Sequence, residues 1–279
     1  MTHCRWLFAL APATVLAVAV TSLEPAARAD PAVELGTASD FAILAASGIT
    51  VAGAVDSSAI TGDIGTFPTA SITGLGNVVL NGTNQAGDAV TQSAQLALLS
   101  AYNAAAGLSA TTSYGPVSDL GGLTLAPGVY ADPSSFGITG TLVLNANGNA
   151  NAIWVFQAGS TLTTAGGSNI VLENGAQACN VFWVVGSSAT IGVGSDFVGT
   201  ILSEASITAD TSAMVDGQLL ALNGAVTLAG DDVIADPAEA GDSGCMLVPD
   251  AGGTLLLLGV GLASLFAFGL HPVFTRFLG

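Results

Sequence analysis

The sequence has very few basic side chains, and those it has are confined to its ends. Arginine, lysine and histidine together occur at five positions: His3, Arg5, Arg28, His271 and Arg276. Residues 30–249 therefore hold 18 of the 20 acidic residues and no basic or histidine residue. Because phosphates need cationic partners, this composition argues against DNA or RNA binding and against phosphate-bearing cofactors, although a backbone nest could still hold an anion.

Without histidine, lysine or arginine in residues 30–249, most catalytic mechanisms have no residue to carry them out. Neither a histidine-based triad nor a lysine nucleophile is available, which leaves only carboxylates. The candidate pairs for glycoside hydrolysis are Asp231 with Asp232 and Asp210 with Asp216. Adjacent acids usually point in different directions, and the acids do not follow the spacing of known calcium loops. We interpret them as solvated surface residues and predict no enzyme activity, no metal site and no cofactor.

Cysteine is scarce, with three residues in the chain. Cys4 belongs to an N-terminal segment that we expect to be removed, so Cys179 and Cys245 remain. In an exported protein these two could form a disulfide that ties a linker to the body. Two lone cysteines do not define their own geometry, so the alternative of free thiols stays open. A zinc site would need more ligands than they supply.

What the chain does contain is a short pattern repeated between Trp154 and Gly230. Its four copies align without internal gaps: WVFQAGSTLTTAGG (154–167), FWVVGSSATIGVG (182–194), TILSEASITADTS (200–212) and LLALNGAVTLAG (219–230). Repeats of about 20 residues built from short β-type runs are typical of a solenoid, in which successive coils stack. An added loop at 171–180 explains the longer step between the first two copies.

Stacked coils place equivalent residues in columns, and side chains alternate across a strand. The threonine column is Thr163, Thr190, Thr208 and Thr227, which we expect to point outward. Two inward columns are predicted: Leu162, Ala189, Ile207 and Val226, and also Phe156, Trp183, Ile201 and Leu220. On the outward face the threonines are flanked by Thr161, Ser188, Ser206 and Ala225 on one side and by Ala165, Gly192, Asp210 and Ala229 on the other. The pattern thus predicts a flat surface of hydroxyl and methyl groups.

Ile-Thr pairs elsewhere in the chain suggest further coils with the same inward-then-outward order. These pairs are Ile49-Thr50, Ile60-Thr61, Ile72-Thr73 and Ile138-Thr139. One segment breaks the β pattern: residues 86–108 follow a 3.6-residue period and predict an amphipathic helix ending near Gly107. Its predicted packing face is Val90, Ala94, Ala97, Leu98, Ala101, Ala105 and Leu108. At about 33 Å the helix could lie along the solenoid and cover one side.

The two ends of the chain have the composition of export signals. Residues 1–29 combine Arg5, an apolar run and a small-x-small end, which predicts a cleaved secretory signal rather than an uncleaved anchor. Residues 30–235 form the predicted solenoid domain, and 236–253 form an acidic linker. The hydrophobic segment 254–279 is long enough to cross a membrane or nearly so.

Several motifs together resemble the bacterial and fungal ice-binding-like family. They are LGTASDFAILAASGIT, LAPGVY, NAIWVFQAGSTLTTAGGSNIVLENGAQACNVFWVVGSSATIG and the closing NGAVTL, which cover roughly residues 34–235. The resemblance implies a mainly β fold, a right-handed discontinuous β-helix of triangular section with one long α-helix alongside. It also implies a flat ice-binding face, often carrying a Thr-Ala/Gly-x-Thr/Asn motif, which Thr208-Ala209-Asp210-Thr211 matches here.

The tail VPDAGGTLLLLGVGLASLFAF resembles sorting signals that exosortase-like enzymes process; a plain membrane anchor is the alternative. We therefore expect a secreted or outer-surface protein whose partner is ice or ordered water. The predicted ice-binding residues are Thr161, Thr163, Ser188, Thr190, Ser206, Thr208, Thr211 and Thr227. The alternative function is surface adhesion, in which the same scaffold binds a polysaccharide or another cell without ice activity.

Overall fold

The computed structural model describes residues 33–230 and 232–235. These residues form three parallel β-sheets of eight strands each, one α-helix and three short 3-10 helices at Gly36–Ala38, Leu75–Asn77 and Ala178–Asn180. Each turn of the chain contributes one strand to every sheet, so the described chain makes eight stacked coils. The predicted mainly β solenoid with three sides is confirmed.

The strands of each sheet follow the same order along the stack. Sheet A contains β4 (Asp63–Thr66), β1 (Phe41–Ala45), β22 (Leu219–Ala221), β19 (Thr200–Ser203), β16 (Val181–Val185), β13 (Trp154–Ala158), β10 (Gly128–Asp132) and β7 (Thr112–Ser113). Sheet B contains β5 (Ile72–Thr73), β2 (Gly48–Val51), β23 (Ala225–Leu228), β20 (Ile207–Ala209), β17 (Ala189–Ile191), β14 (Leu162–Thr164), β11 (Phe136–Ile138) and β8 (Ser118–Asp119). Sheet C contains β6 (Val78–Asn81), β3 (Ser58–Thr61), β24 (Val233–Ala235), β21 (Met214–Asp216), β18 (Asp196–Val198), β15 (Asn169–Glu173), β12 (Thr141–Asn145) and β9 (Thr124–Leu125).

The order of the coils in space differs from their order in the sequence. The first coil, β1 to β3, pairs with the last coil, β22 to β24, and the second coil lies outside the first at one end of the stack. The chain then crosses to the opposite end, where β7 to β9 form the outermost coil. The helix α1 (Ala89–Ala106) is the connection that carries it there. The solenoid is therefore discontinuous, as the resemblance implied.

Helix α1 begins and ends where local chemistry satisfies its terminal groups. The Asp88 side chain accepts a hydrogen bond from the Thr91 amide at 2.9 Å, and Gly107 forms the C-cap. The helix packs on the outer surface of sheet A, where it contacts β1, β13, β16 and β19. At 18 residues it is about 27 Å long, shorter than predicted.

The prediction of the helix packing face is wrong at one residue. Val90 is exposed, and the neighbouring Thr91 is buried in its place. The Thr91 hydroxyl donates a hydrogen bond to the Gln85 carbonyl, so a polar residue can take the inward position without leaving an unpaired group. Ala94, Leu98, Ala101 and Ala105 are buried as predicted.

The interior is filled by inward side chains of the three sheets. On sheet A, the rings of Tyr130, Phe156 and Trp183 stack on successive coils, with centroid separations of 5.3 and 4.0 Å. The indole N–H of Trp183 donates to the Val198 carbonyl at 3.0 Å, which satisfies its one polar atom. The tryptophans of the repeats therefore belong to the core.

The first predicted inward column is confirmed, and the second contains one error. Leu162, Ala189, Ile207 and Val226 are all buried. On sheet A, however, Ile201 pairs with Leu219, while Leu220 pairs with Leu202 and packs against the helix side. The fourth copy therefore has one extra residue before its threonine. Sheet A is buried on both faces, so hydrophobicity could not distinguish the two leucines.

Two further expectations are corrected by the structure. The predicted loop at 171–180 is partly strand, because β15 extends to Glu173 and only the following residues leave the sheet. Asp232 is not a solvated surface residue: it is 0% exposed, and its carboxylate accepts hydrogen bonds from the amides of Ala213 and Gly230 at 3.0 and 2.9 Å. A buried carboxylate is tolerated here because backbone donors replace its water.

Several predicted features fall outside the described residues. These are the signal segment 1–29, the linker 236–253, the hydrophobic segment 254–279, Asp231 and Cys245. Cys179 is disulfide-bonded, and its predicted pairing with Cys245 stays a prediction. In the part of the chain that is described, no helix has the length and apolar character needed to span a bilayer.

Candidate functional site

Sheet B carries a column of threonines longer than the sequence predicted. Strand pairing places one outward residue of each coil in line: Thr73, Thr50, Thr227, Thr208, Thr190, Thr163, Gly137 and Asp119. Six neighbouring coils thus present a threonine at the same height of the strand. Adjacent strands are about 4.8 Å apart, so the six threonines extend over roughly 24 Å.

The column side chains are accessible and their hydroxyls are unused by the protein. Thr50, Thr73 and Thr163 are exposed, and the other three threonines are partly exposed. Within the described chain, none of the six hydroxyls makes a side-chain hydrogen bond, whereas buried hydroxyls such as those of Thr164 and Ser203 have partners at 3.2 and 2.6 Å. The column is therefore free to exchange hydrogen bonds with water.

A second column of small residues, four of them with hydroxyl groups, lies beside the threonines, toward the corner with sheet A. It contains Ser135, Thr161, Ser188, Ser206 and Ala225. The Thr161 hydroxyl donates to the Ser135 hydroxyl at 2.8 Å, and Ser206 Oγ accepts from the Ala225 amide at 3.2 Å. These contacts between coils hold part of this column in fixed positions, as a rigid surface requires.

The opposite flank is made of small residues with one charge. In order along the stack its members include Ala52, Ala229, Asp210, Gly192, Ala165 and Thr139. Short side chains keep the surface flat on this side. Asp210 is the exception, because its partly exposed carboxylate interrupts the row between Ala229 and Gly192.

A second acid closes the threonine column at one end. Asp119 is exposed, and its Oδ1 accepts hydrogen bonds from the amides of Gly121 and Thr139, both at 2.9 Å. Partial burial by itself would raise the pKa of Asp119, but these hydrogen bonds to the charged form lower it below its ordinary value. The carboxylate is therefore a structural cap for the last coil.

The predicted site residues are largely brought together by the fold. Thr161, Thr163, Ser188, Thr190, Ser206, Thr208 and Thr227 all lie on sheet B or directly before its strands. Thr211 does not join the columns: it is exposed in the turn between sheets B and C, after β20 has ended. The match of Thr208-Ala209-Asp210-Thr211 to a flat strand motif thus fails at its fourth position, while Ala209 points inward and is buried.

Two column residues were missed by the sequence reasoning. Thr50 and Thr73 were assigned to coils but not to the site, because nothing in the local sequence shows that the first coil stacks on the last. The Ile-Thr order was the available signal. It is not sufficient, because Thr61 has the same order but lies on sheet C, and the column position next to Thr163 is occupied by Gly137 rather than Thr139.

The other two sides of the solenoid do not offer a comparable surface. Helix α1 covers much of the outer face of sheet A. Sheet C exposes a mixed set of side chains that includes Met214, Asp216, Glu173 and Val79. The candidate acid pair Asp210 and Asp216 is divided between sheets B and C. No group of three or more His, Cys, Asp or Glu residues in the described chain could hold a metal ion.

The architecture thus defines a class: a three-sided β-solenoid with a lengthwise helix on one side and an evenly spaced hydroxyl face on another. The family model described as "Ice-binding-like" matches residues 43–234, and the chain belongs to this family.

Individual relatives agree with this assignment. The chain is 44% identical over 253 residues to an ice-binding protein of Nostoc sp. (strain HG1), covering 90% of this chain and 92% of that protein. The crystal structure of an ice-binding protein from the Antarctic ascomycete Antarctomyces psychrotrophicus matches with a TM-score of 0.69 and 40% identity, over 73% of this chain and 97% of that one. An ice-binding protein from an Antarctic biological consortium matches with a TM-score of 0.70 and 39% identity, over 77% and 96% of the two chains.

Proposed function

We propose that this protein binds ice through sheet B. The observation that carries the proposal is the column of six threonines whose hydroxyls have no partner in the described protein, on a regular face that the helix leaves uncovered. The similarity to ice-binding proteins over nearly the whole chain supports the same function.

The mechanism follows from the chemistry of threonine in a fixed array. Each side chain presents a methyl group, which orders water without binding it, and a hydroxyl, which donates and accepts hydrogen bonds. Water held at spacings of about 4.8 Å along the stack and about 7 Å along each strand forms a layer that merges with the ice lattice. Each contact is weak, so adsorption depends on many of them acting on a rigid platform.

The test compares the purified full-length chain with a Thr190→Tyr, Thr208→Tyr double variant in thermal hysteresis and ice recrystallisation inhibition assays. Two bulky rings in the middle of the column break its flatness, and we expect most of the activity to be lost. The matched control is Thr61→Tyr, Thr141→Tyr, which places the same side chains on sheet C and should retain activity.

The outcomes separate the hypotheses. If the parent is active and only the sheet B variant loses activity while its circular dichroism spectrum is unchanged, sheet B is the ice site. If both variants remain active, ice binding persists but the assignment to sheet B is wrong. If the parent is inactive at high concentration, ice binding is rejected and surface adhesion becomes the working function.

We also propose that the protein is exported and acts at the cell surface or in the medium. The support is the secretory pattern of residues 1–29 and the sorting-type tail at 248–268, both of which lie outside the described residues. Mass spectrometry of protein recovered from culture medium and from membranes would show whether each end is cut. Recovery of the uncut chain from the cytoplasm alone would contradict export.

A further inference from the structure

A second surface feature lies apart from sheet B: a groove between helix α1 and the corners that join sheets A and B. Near one end of the stack, a section of about 440 Å³ is lined by Phe67, Leu96, Leu99 and Leu222 among others. Toward the other end, a section of about 640 Å³ is lined by Tyr102, Tyr114, Gln157 and Glu204 among others.

The two sections are neighbours in the fold. Leu99 and Tyr102 are one turn apart on the helix, so their side chains lie on the same side. Glu204 and Leu222 follow the paired residues Ser203 and Ala221 on adjacent coils. The two sections therefore lie one after the other along the helix, and together their walls include corner residues of all eight coils. Such a shape suits an extended chain rather than a compact small molecule.

The tyrosine section combines partly exposed rings with one available carboxylate. Tyr102 and Tyr114 are both partly exposed, and each has an apolar ring and a hydroxyl. Glu204 is exposed, and its carboxylate has no hydrogen bond from another described side chain or amide. Burial, and then the negative charge of Glu204, raise the pKa of the Tyr102 phenol, which agrees with the closeness of the two groups.

Two other polar side chains of this section, Gln157 and Asp132, already form hydrogen bonds within its wall. The Gln157 amide donates to the carbonyls of Ala105 and Leu108 at 2.8 and 2.9 Å, which closes the end of the helix. The two oxygens of Asp132 accept from the amides of Ser118 and Ser134 at 3.0 and 2.7 Å. Of the two carboxylates that line this section, Glu204 is thus the one available to accept a hydrogen bond from a ligand.

The absence of basic side chains limits the kind of ligand that this section can bind. Residues 30–249 contain no cation, so an anionic polymer would meet only carboxylates. A ligand rich in hydroxyl donors, with apolar faces that can lie on tyrosine rings, fits both the aromatic walls and the free acceptor. We propose that this groove binds a segment of a neutral polysaccharide, with sugar faces on Tyr102 and Tyr114 and a sugar hydroxyl donating to Glu204.

The test is affinity electrophoresis of the full-length chain through native gels that contain dextran, xylan, mannan or glucomannan, with alginate as the anionic polymer. We expect at least one neutral polymer to retard the protein and alginate not to. Glu204→Gln and Tyr102→Leu should each weaken the retardation about tenfold in apparent Kd, since each removes one principal contact. Glu173→Gln, an exposed glutamate on sheet C, is the matched control and should bind like the parent.

Unchanged retardation in the Glu204 and Tyr102 variants would overturn the assignment to this groove, as would retardation by alginate or by none of the neutral polymers. Thermal melts establish that the variants are folded; Glu204→Gln alters an exposed position and keeps the test valid if Tyr102→Leu is unstable. Ice recrystallisation inhibition measured on the same samples should be unaffected, because the groove residues lie outside the threonine columns. The proposal of polysaccharide binding and the proposal of ice binding can therefore be rejected independently of each other.

Discussion

At the scale of single residues, polar groups in this protein divide into those used internally and those presented to solvent. The buried carboxylates of Asp132 and Asp232 accept hydrogen bonds from backbone amides, and most buried hydroxyls have partners, with Thr66 Oγ1 an exception within the described protein. The column threonines make no such bonds within the described chain. Because an unpaired buried polar group is costly whereas an exposed one bonds to water, position alone decides which hydroxyls are available for function.

Asp132 gives a prediction about pH. Burial alone would raise its pKa, but hydrogen bonds from Ser134 and Ser118 lower it below its ordinary value. The stabilisation of the folded state by the ionised Asp132 carboxylate is therefore fully present above the unfolded pKa of about 4. It is lost as the pH falls through the lowered pKa of the folded state. Asp132→Asn leaves a backbone donor facing an NH₂ group, and we expect it to reduce the free energy of unfolding by about 1–3 kcal/mol at pH 7.

Urea unfolding of both proteins between pH 7 and pH 2.5 measures this difference, which should shrink below about pH 4 as the parent carboxyl becomes protonated. Asp56→Asn is the control, because Asp56 is exposed and asparagine tolerates its positive φ of 56°. A deficit that stays constant over the whole pH range would contradict the role given to the charged form.

At the scale of elements, the threonine column depends on strand register, and Gly137 interrupts it. A Cβ added at Gly137 would meet nothing closer than the Ser118 carbonyl oxygen at 3.9 Å. Gly137→Thr should therefore fit, extend the column to seven threonines and change the free energy of unfolding by less than about 1 kcal/mol. We expect higher thermal hysteresis per mole.

Gly76→Thr is the control for this gain, since it adds the same side chain in open space at a 3-10 helix outside the strands of sheet B. Equal activity of Gly137→Thr and the parent, with folding intact, would show that the column length beyond six coils does not limit adsorption.

Helix α1 is held to sheet A by a few buried side chains. Leu98 is 0% exposed and packs into the cluster between the helix and the sheet, whereas Leu96 on the same helix is 66% exposed. Leu98→Ala should lower the free energy of unfolding by about 2–5 kcal/mol, and Leu96→Ala by less than about 0.5 kcal/mol. Thermal or urea unfolding followed by circular dichroism measures both. Equal effects would mean that the helix does not contribute to the cooperative core.

At the scale of the whole molecule, acidic side chains greatly outnumber basic ones. The net charge is −17, and the described residues contain no Lys, Arg or His, so no side-chain ion pair can form among them. Stability therefore comes from burial and hydrogen bonds, and electrostatics acts mainly as repulsion.

Salt should stabilise such a protein. Raising NaCl from 0.01 to 0.15 M shortens the Debye length from about 30 to about 8 Å, which screens the repulsion. If this screening raises the free energy of unfolding by about 1 kcal/mol, Tm rises by about 2–4 °C for a domain of this size. Differential scanning calorimetry at the two salt concentrations measures the shift. A lower Tm at high salt would indicate attractive charge pairs and contradict this account.

Local sequence patterns were enough to predict the solenoid, the first inward column and the composition of the exposed face. Side-chain alternation and coil repeats are local properties, so the positions of Thr163, Thr190, Thr208 and Thr227 follow from spacing alone. The helix was equally visible, because its period differs from that of the strands.

Features that depend on contacts between distant segments could not be predicted in this way. The pairing of β2 with β23 places Thr50 beside Thr227, which is 177 residues away in the chain, and Thr73 joins the column through its pairing with Thr50. Leu219 lies in the core and Leu220 lies at the helix interface because of how the coils pack. Asp232 is buried, and its carboxylate accepts hydrogen bonds from backbone amides. These outcomes arise from long-range packing and hydrogen bonding, which leave no periodic trace in the local sequence.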